Sequence, residues 1–322
     1  TVACGGCRES YPVLGGVLVL VPDVRGYLAE HAKGISRYVD DAEIPKAHRA
    51  TYLKAKKQLN GDEHIEEDLE AERVTALYVM THYLKAAEVR SPSPAIAELV
   101  AKHWDRGPFA RIRELLDAKK AGGSLVELGC GVGGLLPALG PRVKSYLGLD
   151  SSFASIAIAR HFALGAPLKR EVRLPADLLD GPVSRPTRIA PPRKAQAGAD
   201  FVVCELDRPP LKSGCWDVAA ALNVIDMLPE PADLPALQRR LLVEGGLAVQ
   251  SCPYIWHARV AAELRARLPK RIRDSAAAVE WLYEEAGFEV ETSEAHVPWV
   301  FFKNERQVEL YSTHLFLARK SR

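Results

Sequence analysis

The sequence has no apolar run long enough to cross a lipid bilayer. The run at residues 13–21 is about half of the roughly 20 residues that a spanning helix needs. No stretch near the start has the charge and hydrophobicity pattern of a signal peptide. These absences predict a cytoplasmic protein that is not inserted in a membrane.

Cysteine is scarce, and neither sign of charge is in large excess. The six cysteines among 322 residues are scattered, which is typical of a reducing compartment rather than a disulfide scaffold. The formal net charge is only +2, so no global electrostatic attraction for nucleic acid is expected. Hydrophobic residues make up 48% of the chain, which is enough to bury the core of one large domain with additional segments.

A glycine-rich turn between two apolar segments is the most informative stretch. Residues 126–134 read Val-Glu-Leu-Gly-Cys-Gly-Val-Gly-Gly, and residues 147–150 read Leu-Gly-Leu-Asp. Glycine is needed where the chain turns tightly after a buried strand and a ligand approaches bare backbone. Asp150, at the tip of the second strand, can accept hydrogen bonds from both hydroxyls of a ribose. The spacing predicts a nucleotide-binding βαβ unit.

The acidic residues on both sides of this turn separate two classes of nucleotide-binding protein. The segment from Glu127 to Gly133 resembles the first motif of the class I S-adenosylmethionine-dependent methyltransferases. A dinucleotide dehydrogenase more often shows GxGxxG and holds a pyrophosphate at the helix N-terminus. The methionine end of S-adenosylmethionine instead carries an ammonium, which an acid near the turn suits. An NAD(P) enzyme remains the alternative reading of this motif.

The resemblance extends over residues 95–322 and implies the fold of that family. Residues 217–223 resemble its fourth strand, 245–251 its fifth, and 288–297 and 308–317 its last two, the final one antiparallel. The implied fold is α/β, with a Rossmann-like seven-stranded sheet and helices on both of its faces.

The resemblance also implies the cofactor and the residues that hold it. The cofactor is S-adenosyl-L-methionine and the product is S-adenosyl-L-homocysteine. Glu205 occupies the position whose carboxylate meets the adenine amino group in this family, although Asp207 is close enough to compete. The predicted cofactor-binding residues lie in the glycine-rich turn and at strand ends: Glu127, Gly129, Cys130, Gly131, Gly133, Asp150, Ser151, Glu205, Leu206 and Asn223.

Methyl transfer is an in-line displacement, so the protein has to hold the acceptor about 3 Å from the methyl carbon. A general base is needed only where the acceptor carries a proton that must leave early. The segments after the fourth and fifth strands supply three candidates, Asp226, Tyr254 and His257. Each has a structural alternative: a helix cap for Asp226, packing for Tyr254 and a surface position for His257.

Residues 1–27 carry a second signal. Cys4-Gly-Gly-Cys7, followed by Tyr-Pro-Val-Leu-Gly-Gly-Val at residues 11–17, resembles the latter half of a zinc-ribbon family whose members activate methyltransferases. A structural zinc needs four ligands, and only two are present here. We therefore predict a ribbon-like remnant without metal, and zinc only if an upstream CxxC joins Cys4 and Cys7. A short β-hairpin with an ordinary thiol pair is the alternative.

Residues 28–94 are predicted to form a helical extension that caps the substrate mouth. Tyr78 and His82 fall on adjacent turns of one helix and, with Trp256 and Trp299, are the predicted substrate contacts. The alternative is that these rings are packing residues. Residues 173–199 hold five prolines and several basic residues, which predicts a flexible insertion.

Short segments bear on the acceptor. Asn-Val-Ile-Asp at residues 223–226 replaces the Asn/Asp-Pro-Pro-Tyr/Phe of adenine and glutamine methyltransferases, which disfavours that subclass. The runs at 223–229, 251–256 and 297–299 resemble the ovothiol-type mercaptohistidine N-methyltransferases. We predict transfer to a small-molecule N, O or S acceptor. The alternatives are an RNA or protein acceptor, although nucleic acid is disfavoured, and a cofactor-binding module without turnover. Whether the protein is a homodimer stays open.

Overall fold

The computed structural model describes residues 1–6, 9–59, 65–175, 184–194, 196–207 and 209–321. The strands are β1 (Val2–Ala3), β2 (Ser10–Tyr11), β3 (Val13–Leu14), β4 (Val17–Leu20), β5 (Gly123–Leu128), β6 (Val143–Asp150), β7 (Arg173–Pro175), β8 (Ser184–Pro186), β9 (Ala199–Cys204), β10 (Trp216–Leu222), β11 (Leu242–Cys252), β12 (Phe288–Asn304) and β13 (Gln307–Lys320). The helices are α1 (Val24–Glu30), α2 (Ala32–Ser36), α3 (Lys46–Leu59), α4 (Ile65–Tyr83), α5 (Pro94–His103), α6 (Pro108–Ala118), α7 (Leu135–Leu139), α8 (Phe153–Leu164), α9 (Asp233–Leu241), α10 (Ala258–Arg267) and α11 (Ser275–Glu285).

One large sheet organises these elements. Its strand order is β12-β13-β11-β10-β5-β6-β9-β4-β3. The strands β9, β6, β5, β10 and β11 run parallel to one another, whereas β13 is antiparallel to β11. The predicted Rossmann-like fold with an antiparallel last strand is confirmed, and its seven strands are joined by two more, β4 and β3.

Side chains that alternate along the central strands show that both faces of the sheet are covered. On β10, Val218 and Ala220 pack in the same core as α6, α7 and α8. Ala219 and Ala221 pack in a second core, with α9, α10 and α11. A parallel sheet buried on both faces needs such a continuous apolar run, which is why β10 reads Val-Ala-Ala-Ala-Leu.

Helix boundaries follow capping signals in the sequence. Asp274 begins α11 by accepting a hydrogen bond from the amide of Ala277 at 2.9 Å, and Gly287 follows its end with a φ of 80°. Ser152 caps α8 by accepting from the amide of Ser155 at 3.2 Å. These caps satisfy amides that have no partner inside the helix, so they place the start of α8 directly after Asp150.

The segment predicted to be a ribbon remnant is built into the edge of the large sheet. β4 pairs parallel to β9, with Val19 opposite Val203. Leu14, Val17 and Val19 are at most 1% exposed. Cys7 lies outside the described residues, so the predicted thiol pair cannot be placed.

The predicted helical extension, residues 28–94, contains the end of α1 and all of α2 to α4. α4 joins it to the rest of the fold. Val79 and Met80 of α4 pack in a third core with Val300 of β12 and Leu174 of β7. Asn60-Gly61, which is a helix-stop signal in the sequence, lies outside the described residues. Within the predicted insertion, β7 and β8 pair as a hairpin, while residues 176–183 and 195 are not described. No helix of the described residues is long and apolar enough to cross a membrane.

Candidate active site

A cavity of about 570 Å³ opens at the carboxyl ends of the central parallel strands. Its volume lies within the usual range for small-molecule sites, and the edge of the sheet where it lies is where α/β folds bind ligands. We call it the site cavity. Its lining comes from the ends of β5, β6, β9 and β10 and from α4, α6 and β12, with Tyr78, His82, Phe109, Glu127, Gly129, Cys130, Gly131, Asp150, Ser151, Ser155, Cys204, Glu205, Leu206, Asp207, Leu222, Asn223, Val224, Met227, Leu228 and Trp299.

Asp150 is fixed by backbone amides at the end of β6. It accepts a hydrogen bond from the amide of Gly131 at 2.9 Å and another from the amide of Ser152 at 2.8 Å. Burial raises the pKa of the Asp150 carboxyl, and the two amide bonds partly offset that shift. Two strand ends and the glycine-rich turn are thereby held in one geometry.

Glu127, the acid before the glycine-rich turn, is 2% exposed at the end of β5. Burial raises its pKa to about 8, although the hydrogen bond that the hydroxyl of Tyr146 donates to it acts in the opposite direction. The carboxyl is therefore mostly protonated at neutral pH in the free protein. A cation placed beside it would favour the carboxylate and lower its pKa.

The opposite wall of the site cavity is aromatic. The ring of His82 lies 4.8 Å from that of Phe109 and 5.7 Å from that of Tyr78, both edge to face. Its centroid is 6.1 Å from Trp299 with the planes 21° apart. Burial lowers the pKa of His82 to about 3, so the imidazole is uncharged. Neither of its ring nitrogens has a hydrogen-bond partner in the described part of the chain.

α4 is anchored directly on the glycine-rich turn. The hydroxyl of Tyr83 donates a hydrogen bond to the carbonyl oxygen of Val132 at 2.7 Å. A Cβ added to Gly134 would lie 2.6 Å from the Cβ of His82, so only glycine allows this approach. The aromatic wall is therefore positioned by the same turn that forms the floor of the cavity.

The residues of the site cavity fit S-adenosylmethionine. A Cβ built on Gly131 would meet nothing within 4 Å, which means that this backbone faces open space. The side-chain oxygen of Asn223 is buried without a partner among the described residues, and Asn223 itself has a φ of 56°, a strained conformation of the kind found at functional sites. Asp150 would hold the ribose, Glu205 the adenine and Glu127 the ammonium.

Nine of the ten predicted cofactor-binding residues line the site cavity. The exception is Gly133, which lies behind the wall. A Cβ there would come within 2.8 Å of the Phe201 ring and 2.9 Å of the Ala159 side chain. Gly133 thus allows β9 and α8 to approach the turn closely and does not itself face the cavity.

The three predicted catalytic residues do not line the site cavity. The buried carboxylate of Asp226 accepts a hydrogen bond from the amide of Ile255 at 2.7 Å. The hydroxyl of Tyr254 is 2.6 Å from Nδ1 of His314, and His257 is exposed at the N-terminal cap of α10. Asp226 thus joins the segment after β10 to the turn after β11, and Tyr254 joins that turn to β13.

The four predicted substrate contacts divide in the same way. Tyr78, His82 and Trp299 line the site cavity. Trp256 does not, because it stacks on Tyr254 with centroids 5.7 Å apart and donates its Nε1–H to the hydroxyl of Ser275 at 3.0 Å.

Sequence reasoning missed Phe109, Cys204 and Met227, which also line the cavity. The Gly-Pro pair at 107–108 is a helix-start signal that would have placed Phe109 in the first turn of α6. Nothing local in the sequence indicates that this turn faces the strand ends. In the described part of the chain, no group of three or more side chains that could hold a metal ion occurs.

A family of methyltransferase domains matches residues 100–293 of this chain. No curated protein matches it. Among solved structures, magnesium protoporphyrin IX methyltransferase from Synechocystis with bound SAH is 15% identical, with 82% of this chain and 100% of that one covered and a TM-score of 0.46. A S-adenosylmethionine-dependent methyltransferase from Mesorhizobium loti is 20% identical, with 64% and 96% covered and a TM-score of 0.40.

A third similar structure is a complex between a methyltransferase activator and a methyltransferase from Haloferax volcanii. It is 16% identical, with 67% of this chain and 99% of that one covered and a TM-score of 0.41. At these identities the likeness of the solved structures concerns the fold alone.

Proposed function

Since this chain belongs to the family of methyltransferase domains matched over residues 100–293, we propose that it transfers the methyl group of S-adenosylmethionine to a small-molecule acceptor. The observation that carries this proposal is the site cavity itself. Its floor is the glycine-rich turn with Asp150, and its opposite wall is the ring cluster on α4, α6 and β12. One cavity therefore offers a polar surface for a nucleoside and an apolar surface for a second molecule.

When bound, S-adenosylmethionine supplies a methyl group on a positively charged sulfur. The acceptor forms a bond to that methyl carbon while the carbon–sulfur bond breaks with its electron pair on sulfur. The chain contributes by positioning, because proximity and alignment alone provide much of the barrier reduction in such displacements. Asp150 and Glu205 would orient the nucleoside, and the half-buried ring of Phe109 and the buried ring of Trp299 would orient the acceptor and exclude water.

The enclosed aromatic wall supports a small molecule over a macromolecular acceptor. Trp299 is 6% exposed, and with His82 and Phe109 it forms a recess rather than a flat surface. RNA would have to approach through basic side chains, and none lines the site cavity among the described residues. A small acceptor that carries an imidazole, as the sequence resemblance implies, is one molecule to test.

The first experiment is calorimetric titration of the protein with S-adenosylmethionine and, separately, with NADH. We expect S-adenosylmethionine alone to bind. Asp150→Ala should weaken its binding by about 1–3 kcal/mol, because ribose hydroxyls lose their acceptor. The control is Asp233→Ala, which removes an exposed carboxylate of α9 and should leave affinity unchanged.

Binding of NADH without S-adenosylmethionine would contradict the proposal. The acceptor class is tested by incubating the protein with methyl-labelled S-adenosylmethionine and separated pools of metabolites, RNA and protein. Label that enters RNA or protein, and not the metabolites, would favour the macromolecular alternative.

A further inference from the structure

The rings that line the site cavity continue into the buried ring of Phe301. Phe109 lies 5.4 Å from Trp299, and Trp299 lies 5.1 Å from Phe301. Tyr78 lies 5.7 Å from Phe301, edge to face, which closes the cluster on the side of α4. Aromatic faces of this kind take up flat apolar groups, and they also attract cations through the negative charge density over each ring.

Four carboxyl side chains line the site cavity in the described part of the chain. They are Glu127, Asp150, Glu205 and Asp207, and no lysine or arginine lies among the lining residues. The single imidazole, His82, is uncharged because burial lowers its pKa to about 3. The described residues therefore place no positive charge in the lining of this cavity.

Negatively charged carboxylates also lie near the aromatic wall. Burial raises the pKa of the Tyr78 phenol, and the negative charges of Asp150, Asp226 and Glu309 raise it further. The hydroxyl of Tyr311, next to Phe301 in the ring cluster, donates a hydrogen bond to Glu309 at 2.9 Å. An anion in this recess would meet like charges and no basic side chain among the described lining residues, which is costly for a buried group.

The geometry points to an acceptor that carries a flat apolar ring and a basic nitrogen and has no acidic group. This inference rests on the proposed function and narrows its substrate class. The ring lies against Phe109 and Trp299. The protonated nitrogen is held over an aromatic face and within the field of the carboxylates, as cations are in aromatic recesses. The same charges disfavour an acceptor that carries a carboxylate or a phosphate beside the aromatic wall.

The test uses four indole compounds that differ in charge and share one ring system: tryptamine, indole, tryptophan and indole-3-acetate. Each is titrated calorimetrically into the full chain saturated with S-adenosylhomocysteine, so that only the acceptor part of the cavity is free. We expect tryptamine to bind at least tenfold more tightly than indole-3-acetate, with indole and tryptophan between them.

Two matched pairs of variants locate the binding. Trp299→Leu removes a ring of the site cavity and should weaken tryptamine binding at least fivefold. Trp256→Leu removes a ring outside the cavity and should leave tryptamine binding unchanged. Met227 lines the cavity and is 64% exposed, so a substitution there should spare the fold. Met227→Lys should narrow the preference for tryptamine over indole-3-acetate at least threefold, and Met227→Gln should leave it unchanged.

Three outcomes overturn the inference. The first is indole-3-acetate binding as tightly as tryptamine, the second is an equal loss in both tryptophan variants, and the third is binding of none of the four compounds to the S-adenosylhomocysteine complex. Failure to bind S-adenosylhomocysteine at all would instead contradict the proposed function, so the two failures are distinguishable.

Discussion

Two glycines of the turn after β5 face opposite environments. Both have a positive φ, 52° at Gly131 and 79° at Gly133. The Cβ of an alanine at Gly131 would project into the site cavity, whereas one at Gly133 would meet Phe201 and Ala159 within 3 Å. The same substitution should therefore act on binding at one position and on folding at the other.

Gly131→Ala should weaken S-adenosylmethionine binding at least tenfold and lower the free energy of unfolding by only about 1–2 kcal/mol, the cost of alanine in a left-handed conformation. Gly133→Ala should lower the free energy of unfolding by about 3 kcal/mol or more, because overpacking adds to that backbone cost. Denaturant unfolding and calorimetric titration measure the two effects. An equal loss of stability in both variants would contradict this assignment.

Glu127 is a carboxyl that the fold keeps protonated. With a folded pKa of about 8 and an ordinary unfolded value, the folded state binds more protons between roughly pH 4.5 and 8. Stability is therefore expected to fall as the pH rises through this window, with a slope of up to about 1.4 kcal/mol per unit. Glu127→Gln, which cannot ionise, should flatten that part of the stability profile measured by denaturant unfolding at several pH values.

The ionisation of Glu127 should also change when the cofactor binds. If the ammonium of S-adenosylmethionine lies beside Glu127, its binding at pH 7 lowers the pKa of Glu127 and releases close to one proton. Titrations in phosphate and Tris buffers, which differ in ionisation enthalpy, count that proton. A release that persists in Glu127→Gln would assign the proton to another group.

At the scale of elements, α4 connects three parts of the molecule. Its side chains Tyr78 and His82 line the site cavity, Tyr83 bonds to the glycine-rich turn, and Val79 and Met80 pack under it with β12 and β7. The periodicity of its sequence predicted a helix, and the helix is present. The sequence left open whether its rings contact a ligand or pack, and in the structure neighbouring positions line the site cavity and pack in the core.

The position of β4, in contrast, was not predictable from its local sequence. The Cys4–Cys7 pattern suggested a separate metal-related remnant, while the partner that decides the position of β4 is β9, far along the chain. Pairing over such a distance has no local signature. Similarly, Asp226 after β10 and Tyr254 and His257 after β11 became catalytic candidates because they follow strand ends. Only the three-dimensional structure shows that their side chains do not line the site cavity.

Two valines of the N-terminal hairpin give a test of this edge. Val17 in β4 is 1% exposed, whereas Val13 in β3 is 39% exposed. Val17→Ala should lower the free energy of unfolding by about 2 kcal/mol, from lost burial and the cavity left behind. Val13→Ala should cost less than about 0.5 kcal/mol. Thermal and denaturant unfolding compare them, and equal effects would show that β4 is not part of the cooperative unit.

For the whole molecule, the sheet from β9 to β12 was predictable because each strand carries its own signal. The glycine-rich turn, Asp150 and the Gly-Gly pair at 245–246 mark strand ends and turns, where backbone geometry favours these residue types. The site cavity was half predictable. Its cofactor side consists of residues at those strand ends and turns. Its acceptor side is formed by α4, α6 and β12, which come together only through the packing of the entire chain.

The pairing of β4 with β9 also sets an order of events during synthesis. More than half of the sequence separates Val19 from Val203, so β4 leaves the ribosome long before its partner does. Until β9 emerges, the apolar face of β4 has no strand to join, and the entropy of closing so long a loop makes this contact slow to form. β4 is thus synthesised early but is among the last strands to reach its native pairing. A nascent chain halted before β9 is the form that most needs a chaperone.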